Sequence, residues 1–315
     1  MAGKKIAVVG SNMVDLITYT DRMPAPGETI EAPRFEMGCG GKGANQAIAA
    51  ARLGAEVMMI TKVGDDIFAD NTIRNLETSG IDTRFVERVP GTSSGVAPIF
   101  VEPSGENCIL IIKGANAHLS PADIDRAEEA LKDCALIVMQ LEVPLETIYH
   151  TVALGARHGI ETLLNPAPAP AELDASRIET LTFLVPNQTE LATISGMPVT
   201  NEEDAEKAAR HLVEKGIRTV IVTLGGRGAL LVSAGAETRR IEAIAVKPVD
   251  TTGAGDAFIG SFARYYVESG DMGGALHKAV RYAADSITRP GTQKSYASAE
   301  DFQAFLAGLE ASPSA

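Results

Sequence analysis

Basic residues are scarce in this 315-residue chain: 28 lysines and arginines stand against 41 aspartates and glutamates, a formal charge of −13. No basic cluster offsets that excess, which argues against a nucleic-acid partner but leaves room for a phosphorylated ligand in a local cradle. Cysteine is rarer still. Cys39, Cys108 and Cys134 are odd in number and widely spaced, with no CxxC pair. Neither a disulfide framework nor a zinc site fits them, whereas reduced thiols in a cytoplasm do. No apolar run approaches a membrane span, and the short run Ile6–Gly10 lacks the long apolar core of a secretory signal. The chain therefore reads as cytoplasmic. Asn187-Gln188-Thr189, formally a glycosylation sequon, then reads as a chance match.

What is present is alternation. Ile6–Gly10, Glu56–Val63, Ala135–Met139, Glu161–Leu164, Phe183–Val185 and Thr219–Leu224 are short apolar runs of the buried-strand kind. Helical stretches lie between them: Ala44–Leu53 with Gly54 as its stop, Asp66–Thr78, one opened by Ser120-Pro121, Leu145–His158 and Glu202–Lys215. This order predicts an α/β fold, a mostly parallel sheet with helices on both faces, in a single domain over 1–315. Two stretches, about 16–37 and 95–113, break the pattern. The first holds Pro24, Pro26, Gly27 and a β-like Glu28–Glu31, and the second reflects about Pro103-Ser104-Gly105 as a hairpin. They predict a small separate sheet hinged over the strand ends as a lid, its outer face serving as a dimer contact.

The chemistry gathers at expected strand ends. Asp250-Thr251-Thr252-Gly253-Ala254-Gly255-Asp256 runs from an extended segment through a Gly-Ala-Gly turn into a helical run, Ala257 to Val267. Glycines there let main-chain N–H groups crowd a ligand, and the start of a helix attracts anions. Asp256 is a carboxylate where an anion should bind: either an acid favoured by the helix dipole, or a general base beside a phosphate cradle. Gly38-Cys39-Gly40-Gly41-Lys42-Gly43 matches GxGxxG, but it does not follow the first strand, and Lys42 precedes Gly43 with no Ser or Thr behind it. Neither a dinucleotide fingerprint nor a P-loop is supported. With Asn45 the stretch offers an amine and an amide at a helix start, which suits a neutral polyol. Asp15, Glu142, Asn187 with Glu190, and the glycine-rich Thr223–Gly228 occupy four further strand ends. Together they describe a ligand cleft.

These residues resemble the signatures of the ribokinase family of small-carbohydrate kinases, which includes fructokinases and adenosine kinase. Gly40–Ala47 matches the first signature, Asp250–Asp256 the more specific second one, and Asn187-Gln188-Thr189-Glu190 an Asn-x-x-Glu motif. The resemblance covers Ile6 to Leu309. It implies a Rossmann-like three-layer core, a β lid shared in a homodimer, and transfer of phosphate from ATP to a sugar hydroxymethyl group. It also implies the site. Asp256 is the base, with Gly253, Ala254 and Gly255 as the anion hole. Asp15, the main chain of Gly41 and Lys42, Asn45 and Glu142 hold the sugar. Asn187 and Glu190 organise Mg²⁺ and phosphates through water. Thr223, Leu224, Gly225, Gly226, Arg227 and Gly228, with Gly255, line the nucleotide. A monovalent cation, K⁺, sits among Asp250, Thr252, Ser286, Arg289, Gly291 and Ser295, mostly on carbonyl oxygens.

One departure bears on the substrate. Common bacterial ribokinases carry Gly-Ser-Ile-Asn-x-Asp where this chain reads Gly10-Ser11-Asn12-Met13-Val14-Asp15, so Met13 falls on the sugar-binding asparagine. That string is similar to the 2-deoxyribose kinase subgroup, although some animal ribokinases also carry Met there. The expectation is an ATP-dependent pentose 5-kinase acting on 2-deoxyribose or ribose. A fructokinase-type enzyme is the alternative within the fold, and a sugar-sensing regulator the alternative outside catalysis.

Overall fold

Alternate side chains of the first strand, β1 (Lys5–Val9), enter different cores: Ile6 and Val8 join one apolar cluster, Ala7 and Val9 the other. That is the signature of a strand covered on both faces. The computed structural model describes residues 4–103 and 107–311. After β1 come β2 (Met13–Tyr19), β3 (Arg34–Gly40), α1 (Lys42–Arg52), β4 (Glu56–Val63), α2 (Ile67–Thr78), β5 (Asp82–Arg88), β6 (Val96–Val101) and β7 (Asn107–Ile109). Then follow α3 (Pro121–Leu131), β8 (Cys134–Gln140), α4 (Leu145–His158), β9 (Glu161–Asn165), β10 (Phe183–Leu184), α5 (Gln188–Ser195) and α6 (Glu202–Glu214). The chain ends through β11 (Thr219–Thr223), β12 (Ala229–Ser233), β13 (Arg239–Ile241), α7 (Ala254–Ser269), α8 (Met272–Ser286) and α9 (Ala299–Ala311).

The main sheet has the order β13-β12-β11-β10-β9-β8-β1-β4-β5. From β11 across to β5 every pairing is parallel, and β12 and β13 add an antiparallel edge. Ile48 of α1, Phe262 of α7, Tyr282 of α8 and Phe302 of α9 cover one face, and Ile124 of α3, Ile148 of α4 and Leu212 of α6 cover the other. Phe183 in β10 meets Phe262 edge-on, ring centres 5.3 Å apart. Burying each such ring contributes about 1.5–3 kcal/mol. Because β1 lies between β8 and β4, successive connections leave it in opposite directions. The crevice beyond the carboxyl ends of β1 and β8 is thus a topological switch point, where open α/β sheets bind ligands. Among the described residues no helix is long and apolar enough to cross a membrane.

The second sheet has the order β3-β2-β6-β7. The expected hairpin is present: Ile99 pairs with Ile109 and Val101 with Asn107, while Ser104 and Gly105 of its turn lie outside the described residues. The β-like Glu28–Glu31 is not a strand. Glu28 instead closes a turn, its amide donating to Ala25 O and its carboxylate binding Arg22, and Pro33 cannot donate to a ladder. Strand formation moves on to Arg34–Gly40, which pairs with Met13–Tyr19. The small sheet therefore begins three residues before the expected segment 16–37 and ends three after it. Phe35, Met37, Ile109, Leu110, Ile111 and Ile112 stand exposed on it. Elements with weak local signals, β5, β12, β13, α8 and α9, complete the fold without having been anticipated.

Candidate active site

The helix after the Asp250–Asp256 stretch starts earlier than the sequence suggests. Ala254 and Gly255 form its first turn, and Gly253 is its N-cap with φ 76°. Only glycine suits that position. Besides the left-handed backbone, a Cβ there would lie 2.3 Å from the Thr292 methyl and 2.7 Å from the Tyr296 hydroxyl. The Tyr296 hydroxyl donates to Gly253 O at 3.0 Å and pins the turn. Gly255 faces open space. The α7 start lies along a cleft of about 230 Å³ lined by Lys42, Asn165, Asn187, Glu190, Thr223 and Thr251 among others, with the Ala254 amide donating to Thr251 O at 3.3 Å.

Asp256, third residue of α7 and 7% exposed, does not fold back to cap its own helix. Its Oδ2 accepts from Asn45 Nδ2 and its Oδ1 from Gln46 Nε2, both at 2.9 Å. These two donors come from α1, which Gly41 (φ 86°) allows to start tight against the link between β1 and β2: a Cβ on Gly41 would lie 2.7 Å from Asn12 Cα. Gln46 also donates to Asn165 Oδ1 at 3.1 Å. Sequence reasoning passed over Gln46, Asn165 and Gln293, the last of which donates to Asn45 Oδ1 at 2.9 Å. Gln46 could have been found, one position beyond Asn45 on a buried helix; the other two carried no local signal.

Glu142, 6% exposed, follows β8 and accepts from Ser11 Oγ at 2.5 Å and from the Lys42 amide at 2.9 Å. Asp15 is not a residue of the turn after β1, as its place in the sequence suggests, but sits within β2, opposite Gly38. Its carboxylate lies over Gly40, where a Cβ would be 2.4 Å from Oδ2. Burial, and then the neighbouring charge of Glu142, push the Asp15 carboxyl from 3.8 up to about 6. Met13 opens the same strand opposite Gly40; at 3% exposure it is buried, yet it belongs to neither core cluster. Lys42 is held charged above its ordinary range, chiefly by Asp256 and also by Glu142 and Glu190, against the opposing effect of burial. One cation thus stands among three carboxylates, a cluster of net negative charge.

On the other flank Asn187 and Glu190 form a capping box at the start of α5. The Asn187 oxygen accepts from the Glu190 amide at 2.8 Å, and Glu190 Oε2 accepts from the Asn187 amide at 2.9 Å. Burial raises the Glu190 carboxyl, with the Asn187 amide and Lys42 opposing. Of the Thr223–Gly228 run, Thr223 lines the cleft and Leu224 is buried beneath it, while Gly225, Gly226 and Arg227 form an exposed turn closed by Gly228. The Arg227 side chain is tied outward to Gln188 and Glu202 at 2.7 and 3.3 Å.

Beside the α7 start, segment 249–252 is laced to segment 287–295. Val249 N donates to Ile287 O at 2.7 Å, and Asp250 accepts from the amides of Thr252 and Gly291, each at 2.9 Å. Burial of Asp250 is outweighed by those donors, which hold its carboxyl below the usual range. Arg289 is clamped by Asp285 and caps the Ser295 carbonyl at 2.8 Å, the Ser295 hydroxyl donates to Thr292 O at 2.9 Å, and the Ser286 carbonyl accepts from the Arg289 amide at 3.4 Å.

A family model described as pfkB family carbohydrate kinase matches residues 3–299. A deoxyribokinase from Salmonella typhi is 62% identical over 96% of this chain and 98% of its own length. A ribokinase from Arabidopsis thaliana, solved with ribose and ATP, superposes with a TM-score of 0.91 at 28% identity, covering 97% of this chain and 99% of that one. A putative ribokinase II from E. coli, solved with ATP and Mg²⁺, superposes with a TM-score of 0.80 at 25% identity, covering 96% and 99%.

Proposed function

The chain belongs to the pfkB family of carbohydrate kinases, and from that premise we propose that it moves the γ-phosphoryl group of ATP to the 5-hydroxyl of 2-deoxy-D-ribose, with ribose as a second substrate. It is a pentose kinase. The observation that supports the chemistry is the setting of Asp256: a buried carboxylate in the first turn of α7 that lines one cleft with Lys42, Asn187 and Glu190. The test is turnover with ATP on a panel of free pentoses and hexoses. No phosphorylation of any of them sinks the reading, and a hexose preferred over both pentoses sinks its substrate.

Asp256 takes the proton of the 5-hydroxyl as that oxygen bonds to the γ-phosphorus and the bond to the β-phosphate oxygen breaks in line, releasing ADP. The amides of Gly253, Ala254 and Gly255 and the Lys42 ammonium stabilise charge on the transferring group. Asp15, Glu142, Asn45 and the main chain of Gly41 and Lys42 orient the sugar. Thr223 and the turn Leu224–Gly228 would accommodate the nucleotide. Asn187 and Glu190, hard oxygen donors beside the anion-binding turn, would hold Mg²⁺ through water, which supplies charge neutralisation on the phosphates. Closure of the small sheet excludes water, the competing acceptor.

The oxygen-rich lacing around Asp250 fits a monovalent cation. Asp250, Thr252, Ser286, Arg289, Gly291 and Ser295 would hold K⁺, mostly through carbonyls, and stiffen the turn before α7. Activity should be higher in K⁺ than in Na⁺ or a bulky organic cation, because a carbonyl-lined cage discriminates by size and field. Equal rates in all three remove this site. The exposed row Phe35, Met37 and Ile109–Ile112 supports a homodimer through the lid. Light scattering should return about twice the 33.1 kDa chain mass, and a monomer at micromolar concentration rules the dimer out. The free thiols of Cys39, Cys108 and Cys134 support a cytoplasmic setting.

Asp15 makes the sugar site sensitive to acid. Its raised value means that the folded protein keeps a proton there up to about pH 6, whereas the unfolded chain loses it near 3.8. The stabilisation from that extra proton is complete below about 4 and is lost as pH rises through about 6. Sugar binding runs the other way, since only the carboxylate accepts from two hydroxyls. We expect kcat/KM for the sugar to fall as pH drops through about 6, and this limb to disappear in Asp15→Asn. An unchanged limb in that variant assigns it elsewhere.

A further inference from the structure

Two chains of side-chain amides converge on the Asp256 carboxylate, and along both the N–H ends point toward it. On one side Asn75 Nδ2 donates to Gln293 Oε1, Gln293 Nε2 to Asn45 Oδ1, and Asn45 Nδ2 to Asp256 Oδ2, each at 2.9 Å. On the other, Gln140 Nε2 donates to Gln46 Oε1 at 2.6 Å and Gln46 Nε2 to Asp256 Oδ1 at 2.9 Å. An amide has one donor end and one acceptor end, so fixing either fixes both. With the Gln293 N–H on its oxygen, Asn45 must turn its NH₂ toward Asp256. Reversed, it would set its oxygen against a carboxylate oxygen and its NH₂ against another NH₂.

Gln293 and Asn75 do not line the cleft. Gln293 is buried behind Asn45, in the short turn Gln293–Ser295, and Asn75 is half-buried on α2. Both are remote in the chain from the residue they align: 248 positions separate Gln293 from Asn45. Inside a protein such a chain is stiffer than its bonds would be in water, and its last bond, to a carboxylate, is the strong one.

We propose that Gln293, held by Asn75, is a positioning residue: it sets the direction of the Asn45 amide and through it the plane of the Asp256 carboxylate. With one N–H on each oxygen, the carboxylate keeps its remaining lone pairs for the sugar hydroxyl. The proposal rests on Asp256 being the base.

The test is Gln293→Met, which keeps volume and length but neither donates nor accepts in this way. A misaligned base is costly, since displacements of about 1 Å can cost on the order of 10²-fold, and a loosened amide should cost kcat about tenfold. In an Asn45→Ala background the same substitution should change kcat by less than about twofold, because its effect runs through Asn45. A packing role predicts losses that multiply. Asn75→Ala, at a half-buried site, should show a smaller loss that also vanishes in the Asn45→Ala background. This second cycle decides the matter if Gln293→Met does not fold. Wild-type kcat in both Gln293→Met and Asn75→Ala, or multiplicative losses in the double variants, overturns the proposal. Normal turnover in Asp256→Asn instead overturns the base assignment beneath it, so the two failures are distinct.

Discussion

Asp256→Asn should lower kcat by about 10²–10⁴-fold, the usual contribution of a positioned general base, while the KM for the sugar moves little. The substitution keeps the shape of the side chain, so the loss reports chemistry. It also tests the structural role that a carboxylate in the first turn of a helix can have. As a dipole partner alone, Asp256 would contribute about 0.3–1 kcal/mol to stability and nothing to turnover. The geometry weighs against that role: Gly253, not Asp256, is the N-cap, and the carboxylate spends both oxygens on Asn45 and Gln46 of another helix. In the asparagine variant one of those donors faces an NH₂ group, so a modest drop in Tm accompanies the loss. A variant with near-normal kcat and a lowered Tm would leave Asp256 as a helix-terminus acid.

Met13→Asn should move the ratio of kcat/KM for ribose to that for 2-deoxyribose by about 1–2 kcal/mol toward ribose, the scale of one regained hydrogen bond, or roughly 5- to 30-fold. Met13 is buried at the start of β2, opposite Gly40 and two residues before Asp15, without joining the packed core. A thioether there offers no partner to a 2-hydroxyl, so binding ribose strips water from that group without full return. The native preference for 2-deoxyribose should nevertheless be modest. An apolar pocket rejects an added hydroxyl by only about 10²-fold, and Asp15, two residues on in the same strand, offers an acceptor. Measuring kcat/KM for both sugars in both proteins decides this. A native enzyme that prefers ribose, with a ratio the substitution leaves unmoved, removes Met13 as discriminator.

Elements with punctuation at both ends were legible to the residue. Leu145–His158 is helical over that full span because Pro144 precedes it and Gly159 follows in the left-handed conformation. Glu56–Val63 is a strand over its whole length, buried from its second residue onward. Where glycines sit inside an element the reading slipped. Ala254 and Gly255 are already helix, and Gly273-Gly274 hid the start of α8. Short strands with little apolar content, such as β13, gave no periodic signal. Asp15 reads as a carboxylate beyond the end of β1 and not as a residue of the second sheet, since the chain enters β2 after only three residues beyond β1.

The order of apolar and polar runs was enough to determine a mostly parallel sheet covered by helices on both faces, because hydrophobic period and capping act over a few neighbouring residues. The motif residue types likewise determined the kind of chemistry: a carboxylate at a glycine-rich helix start, and oxygen donors across from it. Which atoms meet was decided only in three dimensions. Asn45 and Asp256 are 211 positions apart, and Gln293 and Asn45 are 248. No local propensity links them. Parallel crossover connections and the packing of α1 against α7 bring them within hydrogen-bond reach, and the direction of each amide then follows from its neighbour rather than from its own sequence.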